Sequence, residues 1–196
     1  TNIMTKITAA ISAVGKYVPE YVLTNKELES YVETNDEWIT SRTGIKERRI
    51  LKGEGLGTSF MAIKASEDLI KKSNIDPKEI DLVIVATATP DLPIASTAAY
   101  VATEIGATNA FGYDLQAACS SFLYGMSTAS AYIASGRYKK VLLIGADLRN
   151  PQLHKYLSVN KQTEALTSYL IDPTFDWQSA LFKKFEHLPN HSTLLS

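Results

Sequence analysis

The chain has 196 residues, with 20 basic and 21 acidic side chains, a formal net charge of −1 and a single cysteine. This charge balance argues against nucleic-acid binding, which needs a clustered basic excess. One cysteine excludes an internal disulfide, and charged residues interrupt every apolar run before it reaches membrane-spanning length. We therefore expect a cytoplasmic protein that binds neither nucleic acid nor membrane, with residues 1–3, which precede Met4, as an extension.

Strand-like and helix-like segments alternate through the first three quarters of the chain, which predicts a layered α/β domain with a mostly parallel sheet. Thr24 and either Asn35 or Asp36 are the expected N-caps of two short helices. The apolar strands are nearly continuous, as in a sheet covered on both faces. The predicted elements are, in chain order, strand 7–14, helices 25–32, 37–42 and 58–73, strand 82–88, helix 96–105, strand 110–115, an uncharged helix 120–136 and strand 141–146.

The cysteine, Cys119, is predicted to lie where a buried strand turns into a buried helix. At a helix N-terminus, unpaired backbone N–H groups favour negative charge, so a thiol there reacts readily as thiolate. Free cysteine is also among the most buried residue types, so the alternative is a small residue of the core. Position alone leaves both interpretations open.

Motifs in a fixed order lead to a family resemblance. The motifs are ISAVGKYVP at 11–19, TNKEL at 24–28, TNDEWI at 34–39, RTGI at 42–45, the arginine pair at 48–49, VIVATATP at 83–90, DLQAACSSF at 114–122 and VLLIGAD at 141–147. Together they resemble 3-oxoacyl-[acyl-carrier-protein] synthase III, the condensing enzyme that starts fatty acid synthesis, over residues 4–147. A related enzyme such as a thiolase is less favoured, because the run from Trp38 to Ile45 is typical of the synthase branch.

The resemblance implies the N-terminal βα half of a thiolase-like fold. It implies that Cys119 is the nucleophile that takes an acyl group, usually acetyl, from coenzyme A as a thioester. The backbone N–H of Cys119 would stabilise the oxyanion. Malonyl carried on acyl carrier protein would then lose carbon dioxide and attack the acyl-cysteine. Acyl-coenzyme A is thus expected as a substrate, with no permanently bound cofactor and no metal.

A coenzyme A site is implied at Trp38, which matches the tryptophan that stacks on adenine in this family. Thr34 and Arg42 match neighbouring contacts to the same ligand. A flat ring offers a stacking face, and a guanidinium pairs with phosphate or packs over a base. Without the family, Trp38 would be read as an ordinary core or partly buried aromatic.

Two further expectations concern Leu92 and the strand at 110–115. Leu92 aligns with a position where many relatives carry a phenylalanine that reaches across the dimer to the acyl pocket. A leucine leaves more room, so a primer larger than acetyl is one interpretation and simple interface packing is the other. The strand corresponds to a sheet edge that pairs across a two-fold axis, so a homodimer is expected.

The resemblance stops after Asp147, and we treat residues 148–196 as a tail of unknown origin. Residues 152–170 and 176–185 are predicted to be helical. The tail histidines, His154, His187 and His191, match no family motif, and Pro189 argues against a helical metal pair. The resemblance implies that a second half of the family's chain supplies a catalytic histidine and a catalytic asparagine. None of the tail histidines is expected to replace that histidine, and none of Asn150, Asn160 and Asn190 is expected to replace that asparagine.

Two functions from different classes follow. The first is an acyltransferase of this family that acylates Cys119 but, without that histidine and asparagine, does not condense efficiently. The second is a non-catalytic truncated or chimeric assembly module that pairs through its sheet edge with another copy or with a full-length relative. An exposed apolar face would make such a module prone to aggregate.

Overall fold

The computed structural model describes residues 7–92 and 94–146, together with the backbone of residues 166–172. Within these residues the strands form a five-stranded sheet of order β1-β7-β6-β4-β5 and a separate two-stranded sheet, β2-β3. The strands are β1 Ala10–Tyr17, β2 Tyr21–Thr24, β3 Glu47–Ile50, β4 Leu82–Ala86, β5 Phe111–Leu115, β6 Val141–Gly145 and β7 Leu166–Asp172. The helices are α1 Asn25–Leu28, α2 Asp36–Thr43, α3 Thr58–Ser73, α4 Thr97–Glu104 and α5 Ser121–Ala134, with short 3₁₀ helices at Pro77–Glu79 and Ala118–Ser120.

The central strands β4 and β6 are parallel, and β5 continues the parallel arrangement beside β4. All residues of β4 and β6 are buried, as their continuous apolar sequence predicts. Alternate side chains pack on opposite faces: Val83 and Ile144 meet the helices α3 and α4, while Ile84 and Leu143 meet α5. The predicted α/β fold with a sheet covered on both faces is confirmed.

Helix α3 begins and ends where the sequence predicts. It ends at Asn74, which adopts a left-handed conformation with φ of 54° and donates its backbone N–H to the Ile70 carbonyl. Strand β1 crosses this helix closely at Gly15, where an added β-carbon would lie 2.4 Å from the Ala65 carbonyl oxygen. Only glycine permits this approach between strand and helix.

Several predicted boundaries are wrong. Strand β1 lies three residues later than the predicted 7–14, and α1 ends at Leu28 instead of continuing to residue 32. The Ser30 hydroxyl donates a hydrogen bond to the Glu27 carbonyl at 2.6 Å. Such a bond from a side chain to the backbone competes with continuation of the helix. The antiparallel pair of β2 and β3 was not predicted, because each strand has only four residues and the two are far apart in sequence.

The prediction of a helix over residues 152–170 is wrong for residues 166–170, which belong to strand β7. This strand lies between β1 and β6 and pairs antiparallel with both. Its residues include Thr167, Tyr169 and Ile171, types that favour strands, and the two open ladders beside it give the backbone partners on both sides. The predicted boundary at residue 147 stays a prediction. The predicted helix at 176–185, like residues 152–165, lies outside the described residues.

Candidate active site

Cys119 lies between β5 and α5, in the 3₁₀ helix Ala118–Ser120, and its side chain is exposed. The predicted junction of strand and helix is therefore confirmed, with the detail that α5 proper begins two residues later, at Ser121. Exposure excludes the alternative in which the cysteine is a small residue of the core.

The buried Ser121 side chain holds the turn around Cys119. Its hydroxyl oxygen accepts a hydrogen bond from the Ala117 N–H at 2.7 Å and donates to the Ala118 carbonyl at 2.8 Å. The backbone N–H of Ser120 donates to the Ala117 carbonyl at 3.0 Å. These bonds fix the backbone on both sides of the cysteine, which is a way to hold a reactive group in one orientation.

Ala118, directly before the cysteine, has a φ of 47°. The left-handed region costs a residue with a β-carbon roughly 1–2 kcal/mol. Such strain persists where the surrounding structure imposes it, and it is common at functional sites. The turn thus presents Cys119 in a conformation that the local sequence alone would not favour.

Beneath the turn, α5 packs against β6 through positions that have no room for larger side chains. A β-carbon on Gly145 would lie 2.8 Å from Cδ2 of Phe122, and one on Gly125 would lie 2.6 Å from Cδ1 of Leu143. Phe122 is buried, in the first turn of α5. The position of the cysteine turn above the sheet therefore depends on small residues below it.

The prediction of a buried strand followed by a buried helix is partly wrong. Strand β5 lies at the edge of the sheet, with Phe111 exposed and its other residues half-buried. On α5 the side chains of Leu123 and Tyr124 are exposed, Tyr124 to 58%. One face of this uncharged helix thus remains open next to Cys119.

A second candidate site is an open cleft of about 510 Å³ beside α2, and no residue of the Cys119 turn lines it. Thr34 and Trp38, both singled out from the sequence, lie in its wall, and Trp38 is 51% exposed. Trp38 is therefore not a core residue, whereas the alternative of an ordinary, partly buried aromatic stays open. The lining residues are Leu28, Val32, Glu33, Thr34, Asn35, Trp38, Ile39 and Arg48.

Arg42 stacks on the Trp38 ring, with its guanidinium carbon 4.5 Å from the ring centroid. The spacing of four residues brings the two side chains together on α2. Asn35 caps this helix by accepting a hydrogen bond from the Trp38 N–H at 2.8 Å, and Gly44 ends it with a φ of 72°. The structure thus brings together all three residues expected to contact coenzyme A, with Arg42 on the ring face and Thr34 in the cleft wall.

Asn25, at 1% exposure, supports this cleft and was not singled out from the sequence. Its side-chain amide donates to Asp36 Oδ1 and to the Ile45 carbonyl, both at 2.7 Å, while its oxygen accepts from an Arg48 N–H at 2.9 Å. The hydrogen bond from Asn25 holds the pKa of Asp36 below its ordinary value of 3.8. One buried amide thus joins α1, α2 and β3.

Leu92 lies in the connection between β4 and α4, outside the lining of the cleft, and is 59% exposed. Its neighbour Asp91 holds this connection by accepting a hydrogen bond from the Ser59 N–H at 2.8 Å. Ile94 on the same connection is also exposed. These apolar side chains therefore face outward from the chain.

The edge strand β5 carries an aromatic cluster at the end opposite the cysteine. Phe111 lies 5.4 Å from Tyr138 between ring centroids and 6.5 Å from Tyr132. Burial in this cluster raises the pKa of Tyr113 to about 12. At the other end, the Asp114 carboxylate accepts hydrogen bonds from the Thr97 and Ala98 N–H groups, at 2.9 and 2.8 Å, and so ties β5 to α4.

In the part of the chain that the structure describes, there is no group of three potential metal-ligating side chains. The tail histidines considered above lie outside that part. Within the same residues, no helix has the length and apolar character to cross a membrane.

A mixed sheet between helical layers, antiparallel only at β7, with a cysteine in a strained turn where β5 passes into α5, defines the class as a thiolase-like α/β fold. The crystal structure of 3-oxoacyl-[acyl-carrier-protein] synthase III from Aquifex aeolicus superposes with a TM-score of 0.73 at 36% identity, covering 86% of this chain and 55% of that one. The Thermus thermophilus enzyme gives 0.71 at 36% identity, covering 85% and 52%.

Sequence comparison gives the family. The family model of 3-oxoacyl-[acyl-carrier-protein (ACP)] synthase III matches residues 113–166. Beta-ketoacyl-[acyl-carrier-protein] synthase III 2 of Bacteroides thetaiotaomicron is 57% identical over 144 residues, and the synthase III of Phocaeicola vulgatus is 58% identical over 144 residues. The chain belongs to the 3-oxoacyl-[acyl-carrier-protein] synthase III family. The match covers 74% of this chain, which spans only 43% of the length of either relative.

Proposed function

We propose that this chain accepts an acyl group from acetyl-coenzyme A, or from another short acyl-coenzyme A, on the thiol of Cys119. The exposed position of Cys119 in a rigid, strained turn carries the proposal. In the reaction the thiolate attacks the thioester carbonyl, and the sulfur of coenzyme A leaves with the electron pair of the broken bond and takes up a proton. One thioester is exchanged for another, so no oxidant or metal is needed.

The oxyanion of the tetrahedral adduct needs a donor close to the sulfur. The turn uses the N–H groups of Ala117, Ser120 and Ser121 in its own hydrogen bonds. The N–H of Cys119 takes part in none of these bonds, which supports its assignment as the oxyanion donor.

Coenzyme A is proposed to bind at the cleft beside α2. Trp38 offers a half-exposed ring for stacking on adenine, and Thr34 offers a hydroxyl in the cleft wall. Arg42 covers one face of the ring in the present structure, so adenine would displace its guanidinium or use the opposite face. In either case the arginine charge is available to a phosphate of the ligand.

The complete family reaction is a decarboxylative condensation with malonyl on acyl carrier protein, which starts fatty acid synthesis. It needs groups that stabilise the enolate formed when carbon dioxide leaves, and the resemblance places these in a histidine and an asparagine outside residues 4–147. We therefore propose that residues 1–196 alone load Cys119 without condensing efficiently. The setting is a cytoplasmic homodimer formed through β5, with no permanently bound cofactor.

A second candidate is an assembly module without catalysis. The open edge of β5 with exposed Phe111, together with Leu123 and Tyr124 on α5, favours it, because such surfaces associate with other chains. The module needs no reaction at Cys119, so the two candidates differ in what they predict for the thiol.

Intact-mass spectrometry after incubation with acetyl-coenzyme A separates the candidates. We expect one acetyl group per chain, located on Cys119 by peptide mapping, and none on the variant Cys119→Ser. Both proteins are first shown to be folded by circular dichroism. A folded wild-type chain without an adduct would favour the assembly module, and an acylated Cys119→Ser would show that the nucleophile assignment is wrong.

Malonyl-acyl carrier protein is then added to the acetylated chain. An adduct that persists supports a chain that loads but does not condense, whereas a 3-oxoacyl product would contradict that limit. Replacing acetyl-coenzyme A by butyryl-coenzyme A, with Leu92→Phe as the matched variant, tests the primer. If Leu92 provides room for a longer primer, the phenylalanine variant should lose butyryl loading while acetyl loading is kept.

A further inference from the structure

We propose that Arg48 is an additional binding residue of the cleft, whose guanidinium pairs with a phosphate group of the ligand while Asn25 positions it. The inference rests on the proposed function and deepens it. It assigns a charged group that neither the motif at 34–39 nor the motif at 42–45 contains.

Arg48 lies on β3 and lines the cleft together with Thr34 and Trp38. Arg49, the next residue on the strand, is bound elsewhere: its guanidinium donates to the Glu20 carbonyl at 3.2 Å. Successive residues of a strand point to opposite faces, so the two arginines serve different surfaces. Arg49 is therefore a matched control for Arg48, with the same charge on the same strand.

The guanidinium of Arg48 is held but not neutralised. One of its N–H groups donates to Asn25 Oδ1 at 2.9 Å. Since Asn25 is itself fixed by the Asp36 carboxylate and the Ile45 carbonyl, its oxygen is turned toward the arginine. Among the described residues the ion pairs all involve lysines, and none includes Arg48. Asn25 is neutral, so the positive charge is available to a ligand.

The chemistry of the lining favours a nucleotide. A tryptophan face suits a purine base, and a half-buried guanidinium with remaining donors suits a phosphate. A volume of about 510 Å³ is within the usual range of small-molecule sites. Glu33 is the opposing charge in the lining, but it is exposed, so water and salt screen it more strongly than the half-buried arginine.

Isothermal titration with coenzyme A, dephospho-coenzyme A and pantetheine tests the assignment. The variants are Arg48→Met, which removes the charge, and Arg48→Gln, which removes the charge but keeps an N–H donor for Asn25. Arg49→Met is the control. Both Arg48 variants should bind coenzyme A roughly tenfold or more weakly, as for loss of a charged hydrogen bond. Arg49→Met should bind within twofold of the wild type, and pantetheine should not distinguish the proteins.

The ligand series also identifies the phosphate. A loss seen with coenzyme A but not with dephospho-coenzyme A assigns Arg48 to the 3′-phosphate, and a loss seen with both assigns it to the diphosphate. If Arg48→Met does not fold, Arg48→Gln and the decrease of wild-type affinity with salt carry the test.

The inference is overturned if Arg48→Gln binds coenzyme A as the wild type does, or if pantetheine binding weakens equally. A folded wild-type chain that binds none of the three probes overturns the proposed function as well. A wild-type chain that binds coenzyme A with no dependence on Arg48 leaves the proposed function standing.

Discussion

Substituting Gly145 by alanine should displace the Phe122 ring and with it the start of α5, which follows the Cys119 turn. The new β-carbon would lie 2.8 Å from Cδ2 and 3.3 Å from Cε2 of Phe122. Carbon atoms pack at roughly 3.5–4.0 Å, so the ring must move by about 0.7–1.2 Å. Phe122 is buried in the first turn of α5, and overpacking of this kind costs roughly 1–3 kcal/mol.

The assay for Gly145→Ala is urea unfolding followed by circular dichroism. With a slope of roughly 2 kcal/mol per molar, the midpoint should fall by about 0.5–1.5 M. If the proposed function holds, acetyl loading of Cys119 should also slow by up to roughly 100-fold, since a displacement of 1 Å at a reacting group has effects of that size.

Adding Phe122→Leu to Gly145→Ala provides the matched test of the cause. The smaller side chain removes the contact with the new β-carbon, so the double variant should recover part of the stability that Gly145→Ala loses. A midpoint for Gly145→Ala within about 0.2 M of wild type would refute the reasoning from this contact. So would a double variant whose losses are simply additive.

Three further perturbations test other parts of the structure. Ala118→Gly removes the β-carbon from a left-handed residue, so it should raise the free energy of unfolding by up to about 1 kcal/mol while slowing acylation of Cys119; unchanged stability in urea would show that the residue is not strained. The pKa of Asp36 lies below 3.8 in the folded chain, so the unfolded chain binds a proton at Asp36 first as the pH falls. The ionised Asp36 carboxylate therefore contributes fully to stability above about pH 4, and this contribution is lost as the pH falls through the pKa of the folded chain. Asp36→Asn should flatten that acidic part of the Tm profile, and an unchanged acidic slope would contradict the assignment. Tyr169→Pro places a proline opposite Val14 and Leu143 in a strand paired on both sides, and the lost ladder hydrogen bond should cost roughly 1–3 kcal/mol; a wild-type Tm would mean that β7 does not complete the sheet.

The parts of the fold that could be predicted are those where local pattern and tertiary burial agree. Strands β4 and β6 are continuous apolar runs at the centre of the sheet, and α3 has a helical apolar period that ends at a residue suited to the left-handed conformation. Strand β7 could not be predicted in this way. Its seven residues are compatible with either structure, and the partners that decide, β1 and β6, lie far away in the sequence.

The candidate functional residues likewise include some that could be predicted from the sequence and some that could not. Cys119 and Trp38 stand in recognisable local motifs, and the structure places them as an exposed thiol and a half-exposed ring. Asn25 and Arg48 also stand in motifs, TNKEL at 24–28 and the arginine pair at 48–49, but those motifs give no role for either side chain. Their contact across 23 positions of sequence becomes visible only in the folded chain.

The two halves of the site are stabilised by separate sets of interactions. The hydrogen bonds that hold Asn25 and the cleft lie within residues 25–48, whereas those that hold the turn of Cys119 lie within residues 117–121. Changes at Asn25 or Arg48 should therefore act on the binding of acyl-coenzyme A and be overcome by saturating ligand. Changes at Ala118 or Ser121 should act on the acylation step and persist at saturation. A variant in the cleft that slowed acylation at saturating ligand would show that the two halves are coupled more tightly than their hydrogen bonds indicate.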